Sequence, residues 1–293
     1  RSDSLWYEFE YINNPDIAVF NGNLIIDQFD TKWYHASPRS QNAGLYFFNE
    51  NQTLANLNDD RHGFINASTG LNSNLINCIS LDKRGDLWVG TNLGVNIISN
   101  TNVALNNVPQ FRVSSVFSLR QQSINAIGVD AINRKWVGTN QGLLLVTSDG
   151  IQILNVFNTT NSPLLSDQIV SIAIDEENGI VYVGVEGGLT AFYTTSLEPV
   201  SSFEEINLYP SPFVIGDGNS FLTIDGLIKD AEIKLLSASG KLVRNVESLG
   251  GRIAFWDGKN NDGNFVNTGV YILVASDKEG NTVKTAKVAV IRK

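Results

Sequence analysis

Short apolar runs alternate with polar turns along most of the 293-residue chain. The runs are rich in Ile, Val and aromatic residues, and the turns that separate them contain Asp, Asn or Gly. No stretch of useful length repeats its apolar positions with the 3.6-residue period of a helix. The pattern therefore predicts an all-β protein.

The apolar runs form an internal repeat. The segment Ile76–Gly94 recurs as Ile124–Gly142 and as Ile169–Gly188, and a weaker copy surrounds Trp33. One aromatic residue anchors each copy, and successive anchors lie 55, 48 and 46 residues apart: Trp33, Trp88, Trp136 and Tyr182. Because a four-stranded propeller blade takes about 40–50 residues, residues 1–198 are predicted to form β-propeller blades, of which about four are visible.

Four blades are the lower limit for closing a ring. We therefore expect residues 1–198 to be part of a larger, incomplete propeller; a closed four-blade ring and a ring completed by another chain are the alternatives. The chain starts with Arg1 and contains no Met, which indicates a processed or truncated piece. A missing signal peptide then says nothing about the compartment.

The repeat resembles the two-component regulator propeller repeat. The resemblance lies in the patterns I-x-x-I-x-x-D and W-V-G-T-x-x-G, and it covers residues 20 to about 195. Blades of this type are found in bacterial periplasmic sensors and surface proteins.

A second all-β unit is predicted after the repeats. Residues 199–206 are polar, around Pro199 and Glu204, and are interpreted as a linker. Residues 207–293 alternate short apolar strands with Gly-containing turns. About seven such strands in this length predict an immunoglobulin-like β-sandwich.

The second unit resembles the immunoglobulin-like C-terminal domains of the FlgD fold and of type IX secretion sorting signals. The matching strings are Y-P-x-P-F at Tyr209, W-D-G-x-N-x-x-G at Trp256, G-V-Y at Gly269 and a basic end at Arg292. Regulator propellers followed by such a domain resemble the PorZ family of Bacteroidetes. This resemblance implies a non-enzymatic component of the type IX secretion system that binds anionic lipopolysaccharide and presents it to a sortase at the outer membrane.

Charge and composition narrow the possible partners. Residues 1–206 have a net charge of -11, whereas residues 207–293 have +2. An acidic body argues against nucleic acid as a partner. No apolar run reaches the roughly 20 residues of a membrane-spanning helix. An acidic surface would also repel an anionic glycolipid. Recognition would therefore need local hydrogen-bond donors or a bridging cation.

Residues that could carry chemistry are few. One cysteine, Cys78, and two histidines, His35 and His62, leave little material for nucleophilic catalysis or metal binding. We predict a buried, inert Cys78, no catalytic residues, no metal site and no cofactor. The loop Asp257–Gly263 lacks the spacing of a calcium loop and is interpreted as a turn.

Two sets of recurring residues are interpreted as structural. The aromatic anchors are expected to pack between blades rather than to stack on sugars. Each copy also has an aspartate after its first strand, and we expect a hairpin-turn role rather than a ring of carboxylates. These aspartates are Asp27, Asp82, Asp130 and Asp175.

Amide side chains give the candidate binding site. If the strands run outward from the axis, one face of the propeller carries the starts of the first strands and the loops after the second strands. Amides there offer both donors and acceptors to sugar hydroxyls, which favours a glycan or glycolipid ligand. The alternative is that T-N-x-G is only a tight turn. The candidate residues, which we call the amide row, are Asn77, Asn92, Asn125, Asn140, Gln141 and Gln168.

The preferred function is a cell-surface or outer-membrane component of the type IX system, with a propeller that binds lipopolysaccharide or a partner and a sandwich that docks to the sortase or the secretion machinery. One alternative is the periplasmic, oligosaccharide-sensing ectodomain of a hybrid two-component receptor. Another is a secreted carbohydrate-active protein.

Overall fold

The computed structural model describes residues 24–36, 43–53, 56, 58–215 and 221–292. These residues divide into two compact units. The first holds the described residues up to Val129, together with Asn133–Ile174 and Val181–Phe192; the second holds Asp130–Ile132, Asp175–Ile180 and the residues from Tyr193 onward.

Four sheets follow one another along the repeats, and in each sheet the strands are neighbours in chain order. Blade 1 contains β1 (Ile25–Ile26), β2 (Lys32–His35), β3 (Leu45–Asn49) and β4 (Arg61–Ile65). Blade 2 contains β5 (Ile76–Leu81), β6 (Leu87–Thr91), β7 (Gly94–Ile98) and β8 (Val113–Ser115). Blade 3 contains β9 (Ile124–Val129), β10 (Lys135–Thr139), β11 (Gly142–Val146) and β12 (Ile153–Phe157). Blade 4 contains β13 (Ile169–Asp175), β14 (Ile180–Val185) and β15 (Gly188–Tyr193). The prediction of an all-β, propeller-type fold is confirmed.

Helical structure in the described ranges is limited to short 3-10 segments in the connections. They are Ala67–Thr69, Thr101–Leu105 and Phe117–Leu119. None of the described helices has the length and apolarity needed for a bilayer crossing.

The cores of the first unit lie between successive blades. Trp33 of blade 1 shares a buried cluster with Ile76 and Val89 of blade 2. Trp88 of blade 2 shares the next cluster with Val137 of blade 3. In the third cluster, Trp136 lies with residues of blade 4, among them Val183. Each blade thus covers the apolar face of the one before it, as the repeat predicts.

Glycines in the second strands allow blades to approach closely. We call the first strand of each blade its inner strand. A methyl group on Gly90 of β6 would lie 2.8 Å from Cγ2 of Ile124, the first residue of the inner strand of blade 3, β9. A methyl group on Gly138 of β10 would lie 2.5 Å from Cγ2 of Ile169. In both interfaces an isoleucine therefore occupies space that any larger residue in place of the glycine would fill.

The second unit contains a two-sheet β-sandwich. One sheet has the order β16 (Asn207–Tyr209), β18 (Leu222–Asp225), β21 (Ile253–Trp256). The other has the order β17 (Phe213–Ile215), β23 (Val283–Arg292), β22 (Gly269–Ser276), β19 (Glu232–Ser237), β20 (Leu242–Val246). Inward-facing residues of both sheets, including Leu222, Trp256 and Leu273, form one core. This arrangement confirms the predicted sandwich.

The segment predicted as a linker is packed into the second unit. Phe203 and Ile206 are buried members of the sandwich core. Val200 forms a β-bridge with Ile228. Residues 199–206 are therefore not a free connection, because their apolar side chains are worth more inside the core than in water. The domain limits at 198 and 207 stay a prediction.

Candidate functional site

The turns after the second strands are tight and are built by threonine. In blade 2, the Thr91 hydroxyl donates to the Gly94 carbonyl oxygen at 2.8 Å, and Oγ1 accepts the N–H of Leu93 at 3.1 Å. Thr139 does the same in blade 3, donating to Gly142 at 2.9 Å. Gly94 has a φ of 111°, in the region that favours glycine. The T-N-x-G string is thus a side-chain-stabilised turn that leaves the amide of Asn92 outside its hydrogen bonds.

The turn and the start of the inner strand lie side by side. The backbone N–H of Asn92 donates to the carbonyl oxygen of Leu75, the residue before β5, at 3.1 Å. This bond brings the loop after the second strand next to the start of the first, which is the arrangement assumed for the candidate site.

Two members of the amide row bind the next blade. Nδ2 of Asn77 donates to the carbonyl oxygen of Ile124 at 2.9 Å. Nδ2 of Asn125 donates to the carbonyl oxygen of Ile169 at 2.9 Å. The two asparagines thus satisfy equivalent carbonyls at the starts of successive inner strands, a structural role that the sequence analysis missed. The sequence signal was the recurrence of the pair Ile-Asn at both sites.

The amide row is partly connected by hydrogen bonds. Asn125 also donates to Oδ1 of Asn140 at 2.7 Å. Ser123 Oγ lies 3.5 Å from Nδ2 of Asn77 and 3.4 Å from Oδ1 of Asn125, so it bridges the two. A polar line therefore crosses from blade 2 to blade 3 at this face.

The other members of the amide row differ in exposure. Asn140, Gln141 and Gln168 are exposed, and Asn92 is half-buried. Oδ1 of Asn92 is a buried acceptor for which the described residues provide no donor. Asn92, Asn140, Gln141 and Gln168 are thus better placed than Asn77 and Asn125 to bind a ligand, and the binding role of the whole row stays a prediction.

The recurring aspartates cap turns, as predicted. Oδ1 of Asp27 accepts the N–H groups of Phe29 and Thr31, and Oδ1 of Asp82 accepts those of Arg84 and Asp86. Oδ1 of the two later members, Asp130 and Asp175, accepts the N–H groups of Ile132 and Asn178.

Asp82 has a second role that the sequence analysis missed. Its Oδ2 accepts from Nζ of Lys135 in blade 3 at 2.8 Å, and both side chains are fully buried. Nζ also donates to the Asn133 and Ser148 carbonyl oxygens and lies 4.4 Å from the centroid of the Trp88 ring. Burial opposes ionisation of Asp82, but the ammonium of Lys135 and two backbone N–H groups outweigh it and lower the pKa of Asp82.

The aromatic anchors confirm the packing prediction in three copies and contradict it in the fourth. Trp33 and Trp88 have no exposed surface, and Trp136 is 3% exposed. Tyr182 is 36% exposed. The prediction was wrong for Tyr182, because no blade follows blade 4 among the residues that the structure describes and the Tyr182 ring stays partly exposed.

Burial shifts the pKa of two groups that were considered for catalysis, Cys78 and His35. Burial raises the pKa of the Cys78 thiol to about 12, so the thiol stays protonated near neutral pH. Burial lowers the pKa of His35.

Asp257 and Asn260 hold their loop by accepting backbone N–H groups, which makes it a turn as predicted. No group of three metal-binding side chains occurs among the described residues.

Comparisons with known proteins agree with this geometry. The two component regulator propeller family matches residues 70–93, which include β5 and β6. Comparison with curated proteins finds no match. Among solved structures, PorZ, an essential bacterial surface component of the type IX secretion system of Porphyromonas gingivalis, aligns with 99% of this chain at 30% identity and a TM-score of 0.65. The chain resembles PorZ. It spans 41% of the length of the PorZ chain.

Two further similar structures come from B. thetaiotaomicron. Both are extracellular domains of proteins described as hybrid two component systems. One aligns with 92% of this chain and 37% of its own, at 15% identity and a TM-score of 0.44. The other aligns with 94% and 38%, at 15% identity and a TM-score of 0.45.

Proposed function

We propose that this chain is part of a surface component of a type IX secretion system and that its propeller blades recognise a glycolipid of the lipopolysaccharide class. The similarity to PorZ along 99% of the chain is the observation that carries the proposal. The propeller repeat at residues 70–93 supports it. The cell surface or outer membrane is the location that this similarity favours.

Ligand recognition is assigned to the four members of the amide row whose side chains do not hold the next blade. Asn92, Asn140, Gln141 and Gln168 present neutral donors and acceptors beside tight, rigid turns. Such groups bind sugar hydroxyls without relying on net charge. This matters because residues 1–206 have a net charge of -11 and would repel the phosphate and carboxylate groups of an anionic glycolipid at long range.

A recognition role is proposed rather than catalysis. The Cys78 thiol has a pKa of about 12, and burial lowers the pKa of His35, so neither supplies an activated nucleophile or a base exposed to substrate.

The sandwich is proposed to dock to the sortase or to the outer-membrane machinery. Residues 207–293 have a net charge of +2, opposite in sign to the rest of the chain. Lys284 and Lys287 of β23 line a groove of about 410 Å³ beside β16. β17 pairs with Val290 to Arg292 of β23, and we propose that a partner strand binds along the preceding part of this edge.

The test is calorimetric titration of the chain with purified lipopolysaccharide and, separately, with the polysaccharide released from it. We expect the double variant Asn92→Ala/Asn140→Ala to lose at least tenfold in affinity, because it removes two neutral hydrogen-bonding groups from the face. Asn107→Ala, an exposed asparagine outside the amide row, is the matched control and should bind normally.

The results distinguish a wrong binding site from a wrong function. Unchanged affinity of the double variant rejects the amide row as the site. A wild-type chain that binds neither probe, with or without added calcium, rejects glycolipid recognition. Asn77 and Asn125 are left intact, because their amides hold neighbouring blades and their loss would change the fold.

A further inference from the structure

A short 3-10 helix between β8 and β9 presents an aromatic ring and an arginine at the surface. The helix spans Phe117–Leu119, and Arg120 is its C-terminal cap. Phe117 is 79% exposed, and Arg120 is exposed as well. The guanidinium carbon of Arg120 lies 5.0 Å from the centroid of the Phe117 ring. The two side chains thus form a cation–π pair that leaves most of the ring open to further contact.

The backbone that carries this pair is held in place. Oγ of Ser118 donates to the carbonyl oxygen of Gly150 in blade 3 at 2.6 Å. Leu119 is fully buried in the cluster between blades 2 and 3. Gln121 has a φ of 61°, which is uncommon for a residue other than glycine. A ligand that binds the pair therefore has little backbone to order, which favours binding.

The pair lies beside the amide row. The backbone N–H of Gln121, the residue after Arg120, donates to the carbonyl oxygen of Leu93 at 3.3 Å. Leu93 follows Asn92 in the tight turn of blade 2, and Oδ1 of Asn92 is a buried acceptor without a donor among the described residues. The cation–π pair and the amide row are therefore parts of one continuous surface of the first unit.

Arg120 differs from several other cations of the first unit in its partners. Lys32, Arg84 and Lys135 each form an ion pair with a carboxylate. In the described part of the chain, no carboxylate lies within ion-pair distance of the Arg120 guanidinium. A guanidinium offers N–H donors in one plane, and these match the oxygens of a carboxylate or a phosphate. Arg120 therefore has the chemistry to bind the anionic group of a ligand.

We propose that Phe117 and Arg120 form an anion subsite beside the amide row, in which Arg120 binds the phosphate or carboxylate group of an acidic saccharide and Phe117 packs against its sugar ring. This inference rests on the glycolipid function proposed above. It adds the residues that distinguish a charged saccharide from a neutral one of the same structure.

The neighbouring groups favour a saccharide over a protein partner. An arginine beside an aromatic ring is also common at protein interfaces, so the pair alone does not decide between them. The adjacent amide side chains offer donors and acceptors that suit sugar hydroxyls. The exposed ring of Phe117 is a flat apolar surface, which the C–H face of a sugar ring can cover. A local cation is also required, because residues 1–206 have a net charge of -11 and repel anions at long range.

The test compares three forms of the polysaccharide released from purified lipopolysaccharide, by calorimetric titration. One form is untreated, one has lost its phosphate groups in aqueous hydrofluoric acid, and one has had its carboxylates reduced to alcohols. We expect Arg120→Gln to lower the affinity for the untreated form at least tenfold, because a charge-assisted hydrogen bond is lost. For the form that has lost the recognised group, Arg120→Gln and wild type should agree within twofold. The treated form that removes the difference identifies the group as phosphate or carboxylate.

Two further variants complete the design. Arg112→Gln removes the same charge from another exposed arginine and should bind the untreated form within twofold of wild type. Phe117→Ala should weaken binding of all three forms at least threefold, since the sugar ring loses its apolar contact. Because Phe117 and Arg120 are exposed, we expect their variants to keep the melting temperature of wild type.

The outcomes separate the subsite from the proposed function. If wild type binds the untreated polysaccharide and Arg120→Gln binds it equally well, the subsite is wrong and the glycolipid function stands. An equal loss for all three forms, or an equal loss in Arg112→Gln, would also overturn the subsite, because the effect would not come from an anion held by Arg120. Unchanged binding by Phe117→Ala would overturn the contact with the sugar ring. A wild-type chain that binds none of the three forms rejects the glycolipid function and the subsite with it.

Discussion

The interface between blades 2 and 3 and the face of blade 4 that carries Tyr182 use the same positions of one repeat but differ in what covers them. In the first, Trp88 is fully buried beneath Lys135, whose ammonium is paired with Asp82. In the second, Tyr182 stands at the position of Trp88 and is 36% exposed. Asp175, the counterpart of Asp82, accepts bonds only within its own turn in the contacts that the structure gives.

The repeat therefore produces the same kind of surface in each blade. Contacts from the neighbouring blade then decide how much each residue of that surface contributes to stability. An aspartate that only shapes a turn contributes modestly in either place. The same aspartate becomes essential once a lysine from the next blade is buried against it, because an unpaired buried charge is costly. Substitutions at equivalent positions of the two regions should therefore have unequal effects.

The largest difference is expected at the buried ion pair. Asp82→Asn keeps an oxygen for the turn N–H groups but removes the carboxylate that is hydrogen-bonded to the Lys135 ammonium. We expect it to lower the free energy of unfolding by about 3–5 kcal/mol, measured by urea denaturation.

Two further variants sharpen this comparison. Adding Lys135→Met to Asp82→Asn should recover most of the loss, since the uncompensated ammonium is then gone. Asp175→Asn should cost far less than Asp82→Asn. If the two aspartate variants destabilised the chain equally, the loss would come from the turn and the ion pair would have no special role.

A smaller difference is expected at the glycines. Gly138→Ala places a methyl group 2.5 Å from Cγ2 of Ile169, and overpacking of this kind should destabilise the chain by about 1–3 kcal/mol. Gly184 is the equivalent glycine of β14, and the three described atoms nearest to a methyl group there all belong to Ser171 of the same blade. Gly184→Ala, made together with Ser171→Ala, should therefore leave the unfolding midpoint close to that of Ser171→Ala alone. A loss at Gly184 as large as that at Gly138 would mean that another part of this chain covers this face of blade 4.

The sequence was sufficient for the period of the repeat and for its turns. The period and the aromatic anchors predicted propeller-type blades, and the turn role of the aspartates followed from their recurring position. Features that occur once were missed. Lys135 lies before Trp136 at a position where blades 2 and 4 have Leu87 and Val181, and this break in the apolar pattern was the available signal. Its partner could not be identified, because Asp82 is 53 residues away.

The candidate site was predictable only in outline. The sequence placed the amide row on one face, but it could not show which amides are already used between blades. That assignment depends on the approach of the next inner strand, which brings the Ile124 and Ile169 carbonyls to Asn77 and Asn125. The packing of residues 199–206 could not be predicted for a similar reason, since the burial of Phe203 depends on the distant strands of the sandwich.

The smallest expected effect is a change in pH dependence. The pKa of Asp82 is lowered from its ordinary value of 3.8, so its pairing stabilises the fold above that pH and is lost as the pH falls through the folded-state value. Wild-type stability should therefore fall between about pH 5 and pH 3 more steeply than that of Asp82→Asn. Asp86 works in the opposite direction, because burial and the charge of Asp82 raise its pKa, so Asp86→Asn serves as a reference. Urea denaturation at several pH values gives the slopes, and equal slopes for wild type and Asp82→Asn would show that the pair does not govern acid stability.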